Sequence, residues 1–175
     1  VIEVAGPDRL TWLDSITSQA LAGLPAGHAT ELLVLDPHGR VEHAAGVLDD
    51  GASTWLIADA GDAAGLAKWL TMMRFRSRVE VRVRDDLAVL GYTELETAEK
   101  RVALVAYRPN ELPLVWGDPW RDVAAGGWQY AAASAHPGAD YTWIEAIVER
   151  AALSQLDDVE PAGLLAAEAL RIAAW

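Results

Sequence analysis

Apolar and polar positions alternate with a period of two through residues 31–59, and this pattern predicts paired strands whose like-parity residues share a face. Asp36-Pro37-His38-Gly39 carries the residues of a tight turn: Asp opens it, Pro presets φ and Gly accepts positive φ. Asp49-Asp50-Gly51 reads as a second, exposed turn, a three-residue loop with Gly in the left-handed position. With Leu48 opposite Ala52, His43 falls opposite Ile57 and diagonal to Trp55 and Asp59. The expectation is one sheet face carrying an aromatic wall, an apolar floor and two titratable groups.

Helical spacing flanks this region. Gly6-Pro7-Asp8 opens a helix bearing Leu10, Leu13, Ile16 and Ala20, and Leu66, Trp69, Leu70 and Met73 fit a second helix over 62–74. A strand at 1–4 precedes them and an Arg-rich strand closes the unit near residue 84, giving the order βα-βββ-αβ, similar to a split βαβ arrangement. Strands are expected at 87–92, 102–108 and 128–134, with Trp116 and Trp120 packing under an irregular Pro-Trp segment. From residue 140 the spacing of Ile144, Ile147, Val148 and Ala151 predicts a helix, and a further helix from Pro161 carries Leu165, Ala169 and Ile172. The fold class is therefore α+β, with two sheet-plus-helix units at 1–85 and 86–175.

Composition narrows the classes. The 175 residues suffice for one domain or two small ones, and no apolar run reaches the ~20 residues of a membrane span. The chain has no Cys, which excludes thiolate chemistry and disulfides within it; a cytoplasmic location is the expectation. A net charge of −12 opposes general attraction to nucleic acid or anionic membranes, so neither is an expected partner. One segment runs against this trend: alternation puts Arg76, Arg78, Glu80, Arg82 and Arg84 on one face and Phe75, Val79, Val81 and Val83 on the other. A half-buried strand with a solvated face explains it, and the sharper alternative is a strip for a polyanionic partner.

Phosphate loops, nucleophile elbows and zinc-helix motifs are absent, and His28, His38, His43 and His136 have no metal-ligand spacing. The stretch from VAGPDRLTWL through PHGRV and LIADA to AAGLAKWL, followed much later by PAGLLAAEALRIAAW, resembles the aminomethyltransferase family: the glycine-cleavage T-protein and its YgfZ-type relatives. The resemblance implies a fold that binds tetrahydrofolate in a channel between domains. Aligned without gaps, the family's paired aspartates fall on Glu42 and His43, and its folate-contacting positions on the next strand fall on Trp55, Ile57 and Asp59. Arg171, in the Leu-Arg element, is placed near a folate carboxylate. The family's Lys-Gly-Cys-Tyr-x-Gly-Gln-Glu hallmark and carboxy-terminal β-barrel would lie beyond Trp175, so the chain is expected to be a fragment.

An imidazole cannot supply the fixed negative charge that aminomethyl transfer requires, which makes efficient transferase activity unexpected if His43 holds the carboxylate's place. Glu42 would point to the opposite face unless the strand slipped by one residue. The resemblance then favours a YgfZ-type folate-binding accessory protein serving iron-sulfur protein assembly or repair and tRNA modification, with iron-sulfur proteins as clients. Two alternatives stand beside it: an aminomethyltransferase-like enzyme using tetrahydrofolate as one-carbon carrier, and a partner-binding module without cofactor.

Overall fold

In the computed structural model, which describes residues 1–93, 96–119, 141–156 and 159–173, two antiparallel sheets lie face to face with helices on their outer sides. The first sheet has the order β2-β3-β4-β1-β5, from Ala29–Leu35, Val41–Asp49, Ser53–Ile57, Ile2–Ala5 and Glu80–Val83. The second has the order β6-β8-β7, from Leu87–Thr93, Trp143–Glu149 and Val115–Gly117. This is a mixed α+β architecture, and the described residues include no barrel.

Period-two alternation divides the side chains of each sheet between two cores. On the outer side of the first sheet, Ile2, Val4, Leu32, Val34, Val47 and Leu56 meet Trp12 and Leu13 of α1 (Arg9–Ile16) and Leu66 and Leu70 of α2 (Ala63–Met72). Its inner side presents Leu48, Trp55 and Ile57 to Leu87, Leu114, Trp116 and Ile147 of the second unit. The outer side of the second sheet packs Ala146 and Val148 against Val102 and Val105 of α3 (Glu96–Val105) and against a 3-10 helix, Arg150–Leu156. No helix of the described residues is long and apolar enough to cross a membrane.

The first hairpin turns as its residues predict: the Asp36 carboxylate accepts the main-chain N–H groups of His38 and Arg40, and Gly39 takes a φ of 80°. The second turn does not. Asp49 pairs with Thr54 and Gly46 with Ile57, so the β3–β4 register differs by three residues from the expected one. Its cause is local: the Asp50 carboxylate accepts the N–H groups of both Ala52 and Ser53, which wraps a wider turn around the side chain. An odd shift exchanges the two faces of one strand relative to the other.

Asp49 and Asp50 are also not exposed, each being 2% accessible. Arg9 grips Asp49 with two hydrogen bonds of 2.8 and 2.9 Å, and the Thr54 hydroxyl and the Gly51 N–H also donate to it. The Trp55 indole donates to Asp50 at 2.9 Å. Burial of these carboxylates is thus fully compensated.

Other elements depart from expectation. Residues 102–105 form the end of helix α3 rather than a strand, and only Ala106 bridges to Val148. Residues 143–149 form strand β8 rather than a helix. Helix α1 ends before Ala20, and Phe75 is exposed rather than inward. The expected strand at 128–134 and Trp120 lie outside the described residues, whereas α4 (Leu164–Ala173) agrees with the spacing.

Removing Asp49 strands the mostly buried Arg9 guanidinium. Asp49→Ala is expected to lower the unfolding free energy by about 3–5 kcal/mol, measured by urea denaturation; a loss under about 1 kcal/mol would show that the pair is no more than a surface contact.

Candidate functional site

The seam between the two sheets is closed at one end and polar at the other. At the closed end the Arg84 guanidinium lies 5.4 Å from the Trp55 ring centroid and 5.7 Å from that of Tyr107, and it pairs with Glu3 at 2.9 Å and Asp86 at 2.7 Å. Its hydrogen bonds, Asp86's above all, hold its pKa above even the usual arginine value despite partial burial. Trp55 meets Tyr107 edge-on at 5.7 Å and is 1% exposed. It is a core residue with no open face, fixed by its bond to Asp50.

The polar end is built on β8. Alternation aims Trp143, Glu145 and Ile147 into the seam, while Ile144, Ala146 and Val148 face α3. Glu145 stands opposite Gly91 on one neighbouring strand and Trp116 on the other. Gly91 is required there: a Cβ on it would come within 2.1 Å of the Trp143 ring. The ring thereby settles over β6, and its Nε1 donates to Glu145 at 3.0 Å. Tyr141 lies parallel to Trp143, with centroids 6.4 Å apart and an angle of 7°.

Burial raises the Glu145 pKa; the indole bond opposes this, and the charges of Asp59 and Asp118 push it up further. Asp59 reaches this end because β4 exits at Ile57 and the Asp59 carbonyl accepts the N–H groups of Asp62 and Ala63 that begin α2. The Tyr141 hydroxyl is likewise shifted up, by burial first and then by Asp118, with Arg171 acting in the opposite sense. Arg171 belongs to α4 and pairs with Glu168 at 2.9 Å. Two parallel aromatic planes, one of them hydrogen-bonded to a carboxyl group that resists ionisation, thus stand beside further carboxylates and one paired cation.

Of the positions expected from the sequence, Asp59 acts on Glu145 and Arg171 on Tyr141 through their charges, and Ile57 belongs to the buried core of the seam. His43 does not share their face. The three-residue register shift turns it to the helix-covered side, where its Nδ1 lies 2.7 Å from an Asp62 carboxylate oxygen and Cε1 packs on Gly65. Glu42, one residue away, is the unpaired residue of a β-bulge, since His43 pairs with Val34 and Val41 with Leu35, and it is exposed beyond the end of β4. Tyr141, Trp143, Glu145 and Asp118 escaped the sequence reading because 143–149 was read as helical. The signal for them was the polar Glu145 two residues from each of Trp143 and Ile147 in a run otherwise apolar.

Because Glu145 has a raised pKa, the folded protein still holds its proton at a pH where the unfolded chain has lost it. Its ionisation therefore opposes folding; this penalty is absent below the ordinary carboxylate pKa and grows as pH rises through the raised value. Glu145→Gln keeps an oxygen for the indole and removes the charge. It is expected to raise the urea midpoint at pH 7, with the gain closing near pH ~4; a gain equal at both values would contradict the effect of burial.

No protein-family model matches the chain. Among solved structures, it is similar to the glycine cleavage system aminomethyltransferase T from Bartonella henselae, with a TM-score of 0.62 and 16% sequence identity. The similarity covers 90% of this chain and 43% of that one, so the chain spans less than half of that protein's length. At this identity what the two have in common is the fold.

Proposed function

We propose that this chain is the tetrahydrofolate-binding part of a YgfZ-type accessory protein that serves iron-sulfur protein assembly or repair and, through such clients, tRNA modification. The observation that carries the folate reading is Glu145, a half-buried carboxyl with raised pKa at the end of a seam, beside the parallel rings of Tyr141 and Trp143. A reduced pterin presents a ring N–H next to an exocyclic amino group, two donors along one edge that a carboxyl oxygen pair receives. The rings offer it an apolar face, and Ile57 supplies floor.

When bound, tetrahydrofolate brings secondary amines that carry one-carbon units. Around it, Glu145 fixes the heterocycle's orientation and Asp59 places negative charge at the mouth. Arg171 is the cation available to a folate tail carboxylate, in exchange for its exposed partner Glu168. His43 acts on the far side of the sheet by fixing the start of α2, and Trp55 by fixing the seam. In this reading the units 1–85 and 86–175 are the two walls of the folate channel. The order of the sequence anchors from GPDRLTWL to ALRIAAW supports the T-protein and its YgfZ-type relatives alike, and the preference for the YgfZ branch rests on the family's paired-aspartate positions falling on Glu42 and His43.

A transferase reading also draws on a specific observation. The register removes His43 from the seam, so the imidazole no longer argues against a carboxylate near the folate amines. In that case Glu42 or Asp59 would stabilise developing positive charge on the one-carbon carrier.

Titration with tetrahydrofolate under reducing conditions, read by tryptophan fluorescence, is expected to give saturable quenching. Glu145→Ala should weaken binding about tenfold or more, whereas His43→Ala should leave it within about twofold. The absence of saturable quenching in folded protein would favour a partner-binding module without cofactor. Conversion of a one-carbon donor that disappears on Asp59→Asn or Glu42→Gln would favour the transferase.

A further inference from the structure

The Arg-rich segment separates into two parts. Arg78, Arg82 and Arg84 are each consumed by ion pairs, with Asp8, Glu80 and Glu3 plus Asp86. Arg74 and Arg76 are exposed and form no ion pair among the described residues, and the same holds for Lys68 on α2. In a chain with 26 acidic and 14 basic residues, three neighbouring cations without a carboxylate are a local reversal of charge.

Between these cations stands Phe75, the chain's only phenylalanine, and it is 82% exposed. Its φ of 42° is a left-handed conformation that a bulky residue rarely adopts. The loop holding it is tied down on both sides. The Met73 carbonyl accepts the Trp12 indole N–H at 3.1 Å, Ser77 N–H bonds to the Arg74 carbonyl, and Arg78 N–H bonds to the Asp8 carboxylate. Met72, 60% exposed, closes α2 three residues before it, and Lys68 lies one turn earlier on the same side of that helix. Single exposed apolar residues are ordinary. An aromatic side chain held outward in a disfavoured conformation inside a collar of unneutralised cations is not.

We propose that Phe75 and Met72, with the collar of Lys68, Arg74 and Arg76, form a docking knob for a partner protein that offers an apolar pocket rimmed by Asp and Glu carboxylates. Aromatic, Met and Arg side chains are those enriched at the centres of protein interfaces, where one aromatic anchor in a pocket carries much of the affinity. Three cations match the rim of such a pocket. The chain's net charge of −12 opposes an extended polyanion, whether an RNA strand or an anionic bilayer, more than it opposes a compact contact. The knob follows the carboxy-terminal end of α2 while Asp59 precedes its amino-terminal end, about 15 Å of helix apart. Docking therefore engages the end of α2 away from the seam mouth.

The test places the photocrosslinker p-benzoyl-phenylalanine at position 75 of the protein in the cells that make it. The expected result is a discrete protein adduct that maps to an apolar segment flanked by acidic residues, its yield falling about tenfold on charge reversal by R74E and R76E together. Adducts only with RNA, lipid or a second copy of the chain would overturn the proposal, as would no discrete adduct or one indifferent to the charge reversal. Phe75→Ala and Phe75→Gly are expected to keep or raise the urea midpoint, because the side chain is held outside the core and Gly suits the left-handed backbone. A clear fall in that midpoint would make Phe75 a structural residue and overturn the proposal equally.

Discussion

The two buried carboxylates of the β3–β4 turn fix the relation between chain and sheet on which everything else in the fold rests. Asp49 holds α1 through Arg9 and β4 through Thr54, and its main-chain carbonyl accepts Gly27 from the loop before β2. Asp50 holds the turn and the Trp55 indole, and its carbonyl accepts the Asn110 side chain from the second unit. Each partner is a donor that the turn geometry demands, so a slip in register would leave several of them buried and unmatched. That constraint decides which face each residue of β3 and β4 occupies, and hence that Trp55 and Ile57 line the seam while His43 does not.

The seam carries the consequence into function. Trp116 spans it, its ring against Gly46 and its indole bonded to the Thr30 carbonyl, which ties β7 to the first sheet. At one end Arg84 covers two aromatic rings and its charge is balanced on both sides, so that end is finished. At the other the aromatic rings continue through Trp143 and Tyr141, and the carboxylates of Asp59 and Asp118 raise the Glu145 pKa beside them. The same packing principle thus produces a sealed end and a receptive one, and the difference lies in which sign of charge reached each.

Much of the first unit was legible because its strands bury one face more than the other and its helices carry apolar stripes. Val4, Leu13, Leu66 and Leu70 fell where their spacing put them. The register was not legible, because the Asp50 side chain rather than loop length sets the turn. Strand β8 was misread for a different reason. It lies at the centre of its sheet with both faces covered, so both parities are largely apolar and any helical spacing can be found within the run. Val102 to Ala106 misled in the opposite sense, since its β-branched residues suggest a strand while Leu104, 82% exposed, marks the open side of a helix. Of the expected site positions, Asp59 and Arg171 carry charge to the polar end of the seam, while Tyr141, Trp143 and Glu145 lie in and beside the misread strand.

Three carboxyl groups withdrawn from solvent allow a comparison that bears on function. Asp49 meets a guanidinium, a hydroxyl and an N–H group, and Asp50 meets two main-chain N–H groups and an indole. Glu145 receives a single indole N–H among the described residues and faces two like charges, an arrangement that costs stability where the other two supply it. A glutamine or an apolar residue would serve the sheet better at that position. The acceptor capacity that Glu145 retains among the described residues is what sets it apart from Asp49 and Asp50.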